Sequence, residues 1–249
     1  IPFKDKADLL KTCIQSITAK SSYQNFEILG IDNNSEEEKT AKALESLAAH
    51  DKRVSFIPYN EAFNFAAICN YGVEKARGEY VVFLNNDTEV ISPGWIEALL
   101  EHAQQPGIGV VGGKLYYPDD TIQHSGVVIG MTGVGGHPFR LFHKDDVGYY
   151  ARPHVIHNVC AVTGACLMIK KERYEEVGGM DSEKFGIAFN DVDLCMSLLK
   201  NGYRNVLTPY CELYHYESQS RGYEDTPEKI ARLERETEAF NAKWDNFFE

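Results

Sequence analysis

A chain of 249 residues, 43% hydrophobic and 25% charged, has the size and composition of one large soluble domain or two small ones with a substantial core. Its 37 acidic residues against 25 basic ones leave a formal charge of −12, which excludes a global attraction to nucleic acid or anionic lipid. An anionic substrate therefore needs a metal ion or a local basic group to offset that field.

Residues 1–3 (IPF) read as the end of a strand whose beginning lies upstream, so an excised domain of a longer protein is expected. Asp8 is placed to cap a helix whose apolar face is Leu9, Leu10, Cys13, Ile14 and Ile17. Residues 26–31 (FEILGI) form a second strand ending at Asp32, and 36–50 an exposed helix with Ala41, Leu44 and Leu47 inward. A short strand over 54–57 precedes a helix over 63–76, with Asn64 as its cap. Residues 80–84 (YVVFL) are an unbroken apolar run of a length that suits a strand buried inside a parallel sheet. Strands alternating with helices predict βαβ units and a mostly parallel sheet.

A helix over 93–102 follows, after which the grammar changes. Strand-like pieces at 108–111, 114–117 and 122–129 are separated by glycines and Pro118. Residues 131–148, rich in glycine and histidine, have no period and read as a long, mobile lid. A buried strand over 161–169, a helix over 191–199, a strand over 206–214 and a charged helix from Thr226 to the C-terminal end complete the chain. The expectation is one domain over 1–249, with unequal halves at 1–105 and 106–249. No apolar run approaches the roughly eighteen residues of a membrane span, and no signal peptide is visible. Cys13, Cys69, Cys160, Cys166, Cys195 and Cys211 include no C-x-x-C pair and read as reduced core residues of a cytoplasmic protein.

Short polar side chains follow the 80–84 run: Asn85, Asn86 and Asp87. Open α/β sheets bind ligands at the carboxyl ends of their strands, and a carboxylate there suits a hard divalent cation. The same three residues also suit a plain turn. Asp32, at another strand end, is placed to accept hydrogen bonds from a ribose or base, or to cap the following helix. Asp191 and Asp193 open a helix two residues apart and so point in different directions, one toward a site and the other toward a cap or partner. His215 ends a strand and is a possible metal ligand. Arg221, in a polar loop, is placed to clamp phosphate oxygens. The P-loop, G-x-G-x-x-G and G-x-S-x-G motifs are absent, which weighs against a P-loop ATPase, a nicotinamide dehydrogenase and an α/β-hydrolase.

The segments IDNNS, FNFAAICNYGVEKARGEYVVFLNNDTEV, GVVGGKLYYPDDTIQHSGVV, AVTGACLMIKKERYEEVGG, FNDVDLCMSLLKNGYRNVLTP and ELYHYESQSRG occur in an order that resembles glycosyltransferase family 2, in particular members that build bacterial surface polysaccharides such as O-antigen and capsule. The resemblance implies a GT-A fold: an α/β architecture with a Rossmann-like, mostly parallel central sheet flanked by helices and a smaller, mixed acceptor-binding half. It also implies inverting transfer of a sugar from a UDP- or dTDP-linked donor to a glycan hydroxyl, with Mn2+ or Mg2+. Asp191 falls at the catalytic-base position, and Asp87, His215 and Asn85 at metal positions. Pro2, Asp5, Asp32, Asn64, Asn70, Asn86 and Arg221 fall on the nucleotide-sugar side, Gly164 and Asn190 on the acceptor side. Asn85 replaces the first acid of a full D-x-D, leaving that contact neutral. The resemblance places such a domain in the cytoplasm, held at the inner face of the plasma membrane by other parts of a longer chain. Competing readings are a nucleotidyltransferase and a silent carbohydrate-binding module. Three retained side chains, Asp87, Asp191 and His215, argue against the silent module.

Overall fold

The structure, a computed structural model, describes residues 1–131, 133–217, 226–245 and 247. Its first part alternates strand and helix: β1 (Pro2–Phe3), α1 (Ala7–Lys20), β2 (Ile28–Asp32), α2 (Glu38–His50), β3 (Val54–Pro58) and α3 (Phe65–Lys75). The three strands form a parallel sheet in the order β1-β2-β3, as helix crossovers require. Leu10, Cys13, Ile14 and Ile17 give α1 its buried stripe, while Ala43 and Leu47 serve α2. Asp8 does not cap α1. The N-cap is Lys6, in a left-handed conformation (φ 56°), and Asp8 instead receives Lys39 Nζ at 2.5 Å.

The second part begins with β4 (Tyr80–Leu84), β5 (Thr88–Val90), α4 (Trp95–Ala103), β6 (Ile108–Tyr116) and β7 (Ile122–His124). A small β8 (Val128–Ile129) and β9 (Gly135–Gly136) pair, a 3-10 turn (Tyr149–His154), β10 (His157–Val159) and β11 (Cys166–Lys170) follow. The chain ends with α5 (Lys171–Glu176), α6 (Asn190–Lys200), β12 (Arg204–His215) and α7 (Pro227–Trp244). A seven-stranded sheet runs β10-β12-β6-β11-β4, with β5 on β12 and β7 on β6.

Several details correct the sequence expectations. β4 lies at the end of this mixed sheet and pairs antiparallel with β11, not inside a parallel array. A short apolar run reports burial, and burial does not encode strand direction. Among the described residues, only β6 and β12 pair in parallel there. The pieces at 108–111 and 114–117 are one strand, because Gly112 and Gly113 admit close packing instead of breaking it. A Cβ on Gly112 would come within 2.5 Å of Val162 Cβ, and one on Gly113 within 2.4 Å of Cys211 Sγ. The strand expected over 122–129 is interrupted by Gly126, whose φ of 93° turns the chain between β7 and β8.

Adjacent residues of β6 show how the layers are arranged. Val110 packs with Cys69, Leu167, Leu194 and Phe240, whereas Val111 packs in a second cluster with Leu10, Ile14, Trp95, Leu99 and Leu213. Successive strand side chains face opposite ways, so α1 and α4 cover one face and α3, α6 and α7 the other. Both clusters draw on residues from 1–105 and from 106–249. All six cysteines are free thiols, five of them buried. No helix among the described residues is long and apolar enough to cross a membrane. Residues 137–148 are fastened to the rim of β7: Ile122 donates to the Phe142 carbonyl at 2.7 Å, and Leu141 donates back to Ile122 at 2.8 Å.

Candidate active site

Asp87 leaves the end of β4 through a tight turn, and antiparallel pairing of β12 with β5 sets His215 opposite Thr88. That pairing brings His215 Nε2 to 3.1 Å from Asp87 Oδ1 and 3.2 Å from Asn85 Nδ2. Both Asp87 (4% exposed) and His215 (8%) are buried. Gln123 of β7 grips the histidine at two points. Its Nε2 donates to the His215 carbonyl at 3.2 Å, which fixes the amide so that Oε1 faces Nδ1 at 2.6 Å. An amide oxygen can only accept, so Nδ1 carries a proton, and in the neutral ring the Nε2 lone pair accepts from the Asn85 amide beside the Asp87 carboxylate.

A carboxylate oxygen and an imidazole nitrogen held together by a second layer of hydrogen bonds fit Mn2+ as donors, and Mg2+ less well because it prefers oxygen ligands. Among the described residues no cluster of three or more His, Cys, Asp or Glu side chains could hold a metal ion. The remaining coordination of any cation here would fall to other oxygens, as hard cations with substrate phosphates commonly arrange. Asn85 meets His215 through its amide nitrogen, and Asn86 is buried beside it in the chain.

Asp191 stands at the start of α6. Its Oδ2 accepts the Gly164 N–H at 2.7 Å and its Oδ1 the Val192 N–H at 2.8 Å. A Cβ on Gly164 would lie 3.4 Å from Asp191 Cβ, so the two residues are packed side by side. Asp193 points elsewhere, as the spacing predicts: it accepts Trp244 Nε1 at 2.9 Å and Lys243 Nζ at 2.8 Å, tying α6 to α7. Burial pushes its carboxyl pKa up, with Lys243 and Trp244 opposing that shift. Asn190 is buried and donates to the Ile187 carbonyl at 3.0 Å.

Next to His215 opens a pocket of about 610 Å³, walled by Gln123, His124, His137, Arg140, Thr163, Phe189, Glu217 and, from α7, Leu233 and Thr237. Thr163 and Phe189 are chain neighbours of Gly164 and Asn190, so the pocket adjoins the Asp191 helix start. His124 Nε2 accepts backbone N–H groups of Gly126 (3.3 Å) and Thr163 (3.4 Å), so its Nδ1 donates to His137 Nδ1 at 2.9 Å. Burial holds the pKa of both imidazoles below the usual histidine value, well below it for His124.

The residues expected on the nucleotide-sugar side do not converge in this way. Asp32 Oδ1 accepts the Ser35 N–H at 2.9 Å, and Asp5 Oδ1 accepts those of Glu36 and Glu37 just before α2. Asn64 caps α3 by accepting from Ala67, and it donates to Ser182. Asn70 joins α3 to Tyr174 and Met180. Pro2 pairs with Ile31 in the parallel sheet. Arg221 lies outside the described residues. His137 and Arg140 belong to the lid expected near the acceptor side, whereas nothing in the sequence reading gives Gln123 or His124 a role here. The available signal was a run of polar residues, Gln123, His124 and Ser125, between the apolar Ile122 and Val127–Ile129.

Comparison with known proteins bears on this arrangement. A curated but uncharacterized protein of Sinorhizobium fredii is 44% identical over 244 residues, 98% of this chain and 27% of its own length. The O-antigen biosynthesis protein RfbC of Myxococcus xanthus is 40% identical over 229 residues, 92% of this chain and 18% of its own length. The chain thus spans about a quarter or less of these relatives. A solved structure of GalNAc-T7 with UDP, GalNAc and Mn2+ superposes with a TM-score of 0.76, covering 99% of this chain and 49% of that one at 15% identity. Such a likeness supports the GT-A fold, and the mixed α/β architecture agrees with it. The profile of glycosyl transferase family 2 matches residues 1–178, well over half of the sequence, and the chain belongs to that family.

Proposed function

We propose that this chain is the catalytic domain of an inverting glycosyltransferase. It moves a sugar from a UDP- or dTDP-linked donor to a hydroxyl of a growing bacterial surface glycan. The observation that carries the reading is the Asp87–His215 pair, clamped by Gln123 next to a pocket and an adjoining aspartate. O-antigen assembly, the role named for the Myxococcus relative, supports the glycan class. All of this takes place on the cytoplasmic side, within one domain spanning both halves.

Asp87 and His215 would hold Mn2+ or Mg2+, with Asn85 supporting His215. When bound, that cation supplies Lewis-acid stabilisation for the negative charge of a departing diphosphate. Asn86 and Arg221, with Pro2, Asp5, Asp32, Asn64 and Asn70 as scaffold or contacts, form the donor side in this reading. The acceptor enters the pocket beside Gly164 and Asn190. Its hydroxyl is a poor nucleophile until a positioned group takes the proton, and Asp191 is that group. Two backbone N–H groups fix the carboxylate's orientation, so little rearrangement accompanies proton transfer.

The test is transfer, or donor hydrolysis, from UDP- and dTDP-sugars with Mn2+, with Mg2+ and with chelator. Release of nucleoside diphosphate that stops in chelator and is lost in Asp87→Ala supports the reading. Pyrophosphate release from a nucleoside triphosphate would replace it with the nucleotidyltransferase. Binding of glycan with no turnover of any donor would leave a silent module.

A further inference from the structure

Two histidines on the pocket wall have no part in the reading above. His124 lies on β7 and is 1% exposed, and His137 follows β9 at the start of the strap over residues 137–157. Their rings meet edge-on, with centroids 5.0 Å apart. Proton positions follow along the pair from the backbone outward. The Gly126 and Thr163 N–H groups both donate to His124 Nε2, so that nitrogen carries a lone pair. The proton of the neutral ring is then on Nδ1, and His137 Nδ1, 2.9 Å away, accepts it. What remains on a neutral His137 is a proton on Nε2. Two backbone groups thus dictate the tautomer of a ring that they do not touch.

That ring lines the pocket, and the Asp191 carboxylate is close enough to act on its charge. Burial, assisted by Arg140, holds the His137 pKa below the usual histidine value, and Asp191, Glu217 and the Gly126 carbonyl oppose that shift without reversing it. A neutral donor suits such a place. An imidazolium beside the base would pair with the carboxylate and weaken it as a proton acceptor, whereas a neutral N–H can hold a substrate oxygen and leave the carboxylate free. The segment bearing the ring is also fixed. Arg140 donates to the Tyr117 hydroxyl at 2.6 and 2.9 Å, and Tyr117 donates on to Glu217 at 2.7 Å. A donor held by its neighbours in this way is preorganised for a ligand.

The rest of the lining selects the ligand's chemistry. Val134, Phe189 and Leu233 offer apolar contact, while Thr163 and Thr237 add hydroxyl oxygens to the imidazole N–H. A pyranose has the matching character, with C–H groups on its faces and hydroxyls around its rim. A wholly apolar ligand would leave the imidazole N–H without an acceptor. We propose that His137 Nε2–H donates to a hydroxyl of the acceptor sugar bound beside Asp191, and that His124 is the positioning residue that sets its tautomer. That the sugar is the acceptor rests on the glycosyltransferase reading; the contact itself does not.

Nuclear magnetic resonance of the chain with labelled histidine side chains, titrated with methyl pyranosides of rhamnose, galactose, glucose and N-acetylglucosamine, tests it. Two-bond couplings in the free chain should report the Nδ1–H tautomer for His124 and the Nε2–H tautomer for His137. At least one glycoside should move the His137 ring signals, and His137→Phe should weaken its binding about tenfold, the loss of one hydrogen bond. His124→Leu should weaken the same binding and mix the His137 tautomers, while His124→Asn, which keeps an N–H near the Nδ1 place, should restore most of both. A pair with only a structural role would lower the melting temperature in these variants without changing glycoside binding. In transfer to that glycoside, its KM should rise about tenfold in His137→Phe while the donor KM stays within a few-fold. An Nδ1–H tautomer on His137, or ring signals that no glycoside moves, would overturn the inference, and donor turnover by the parent would then leave the glycosyltransferase reading standing. A glycoside that binds at His137 in a chain that turns over no donor would support the contact and remove the transfer reading.

Discussion

The corner around Asp87 and the strap over 137–157 sit on the same pocket and are built in opposite ways. At the corner, charged and polar groups are buried to single-digit exposure, and each is fixed by a neighbour: Gln123 orients His215, and His215 faces Asp87. On the strap, apolar groups face water and the backbone bears the strain. The first arrangement preorganises electrostatics, which is costly to alter at any single atom. The second presents area, which tolerates change at any one residue. Substitutions should therefore act strongly and individually at the corner, but weakly and cumulatively on the strap.

The largest expected effects test the corner. Asp87→Ala should abolish turnover of any nucleotide-sugar with the fold intact by circular dichroism, because the site would lose its carboxylate ligand. Asp191→Asn keeps the shape and one acceptor oxygen but cannot take a proton. Its transfer rate should fall by roughly two to four orders of magnitude, with donor affinity within a few-fold. If Asp191→Asn loses donor binding yet turns over normally at saturation, the aspartate serves the donor and the base lies elsewhere.

A smaller loss should follow at Gln123, which touches neither reacting atom. Gln123→Leu removes the partner that fixes the His215 tautomer, so Mn2+ affinity, read by titration, should fall about 10–100-fold. Turnover at saturating Mn2+ should recover most of its parent value. An unchanged affinity would mean that packing alone orients the ring.

How far these features could be read from the sequence follows from the same contrast. The strand-end positions of Asp87 and His215 and the different directions of Asp191 and Asp193 were legible because strand ends and helix starts are local signals. Their convergence was not, since it depends on β12 pairing with β5 across more than a hundred residues. Asp5, Asn64 and Asn70 show the converse. Their residue types suit a polar site, yet their side chains are engaged by the Glu36 and Glu37 amides, the α3 N-terminus and Tyr174. Strand direction at β4 and the continuity of β6 through two glycines were hidden because they depend on the neighbouring strand or side chain, not on local pattern.

The buried imidazoles give a pH test of the wall between the two regions. His124 is held far below its ordinary value by burial, so the folded state keeps it neutral, whereas the unfolded chain titrates it near pH 6.5. Below about pH 6.5 the unfolded state therefore binds more protons, and stability falls as pH falls; above that it is flat in this term. The loss approaches about 1.4 kcal/mol per pH unit until the folded pKa is reached. Thermal melts at about pH 7.5 and 5.5 should show this slope, and His124→Asn should reduce it. An equal slope in the variant would assign the acid sensitivity to other groups.

The smallest effect should come from the strap, and its sign is informative. Tyr150 combines 85% exposure with a φ of 52°, so its side chain has little packing to lose and its backbone has strain to relieve. A residue with a Cβ costs about 1–2 kcal/mol in the left-handed region, which glycine avoids. Glycine in turn raises unfolded-chain entropy, at a cost of roughly 0.5–1 kcal/mol. The two nearly cancel, with relief slightly ahead, so Tyr150→Gly should leave stability unchanged or raise it by up to about 1 kcal/mol in urea unfolding. Alanine keeps the Cβ and the strain, so Tyr150→Ala should be the less stable of the two. If Tyr150→Gly instead destabilises the fold by more than about 1 kcal/mol, the ring is holding the strap together, and the contrast between a rigid corner and a strained, outward-facing strap fails at its most exposed residue.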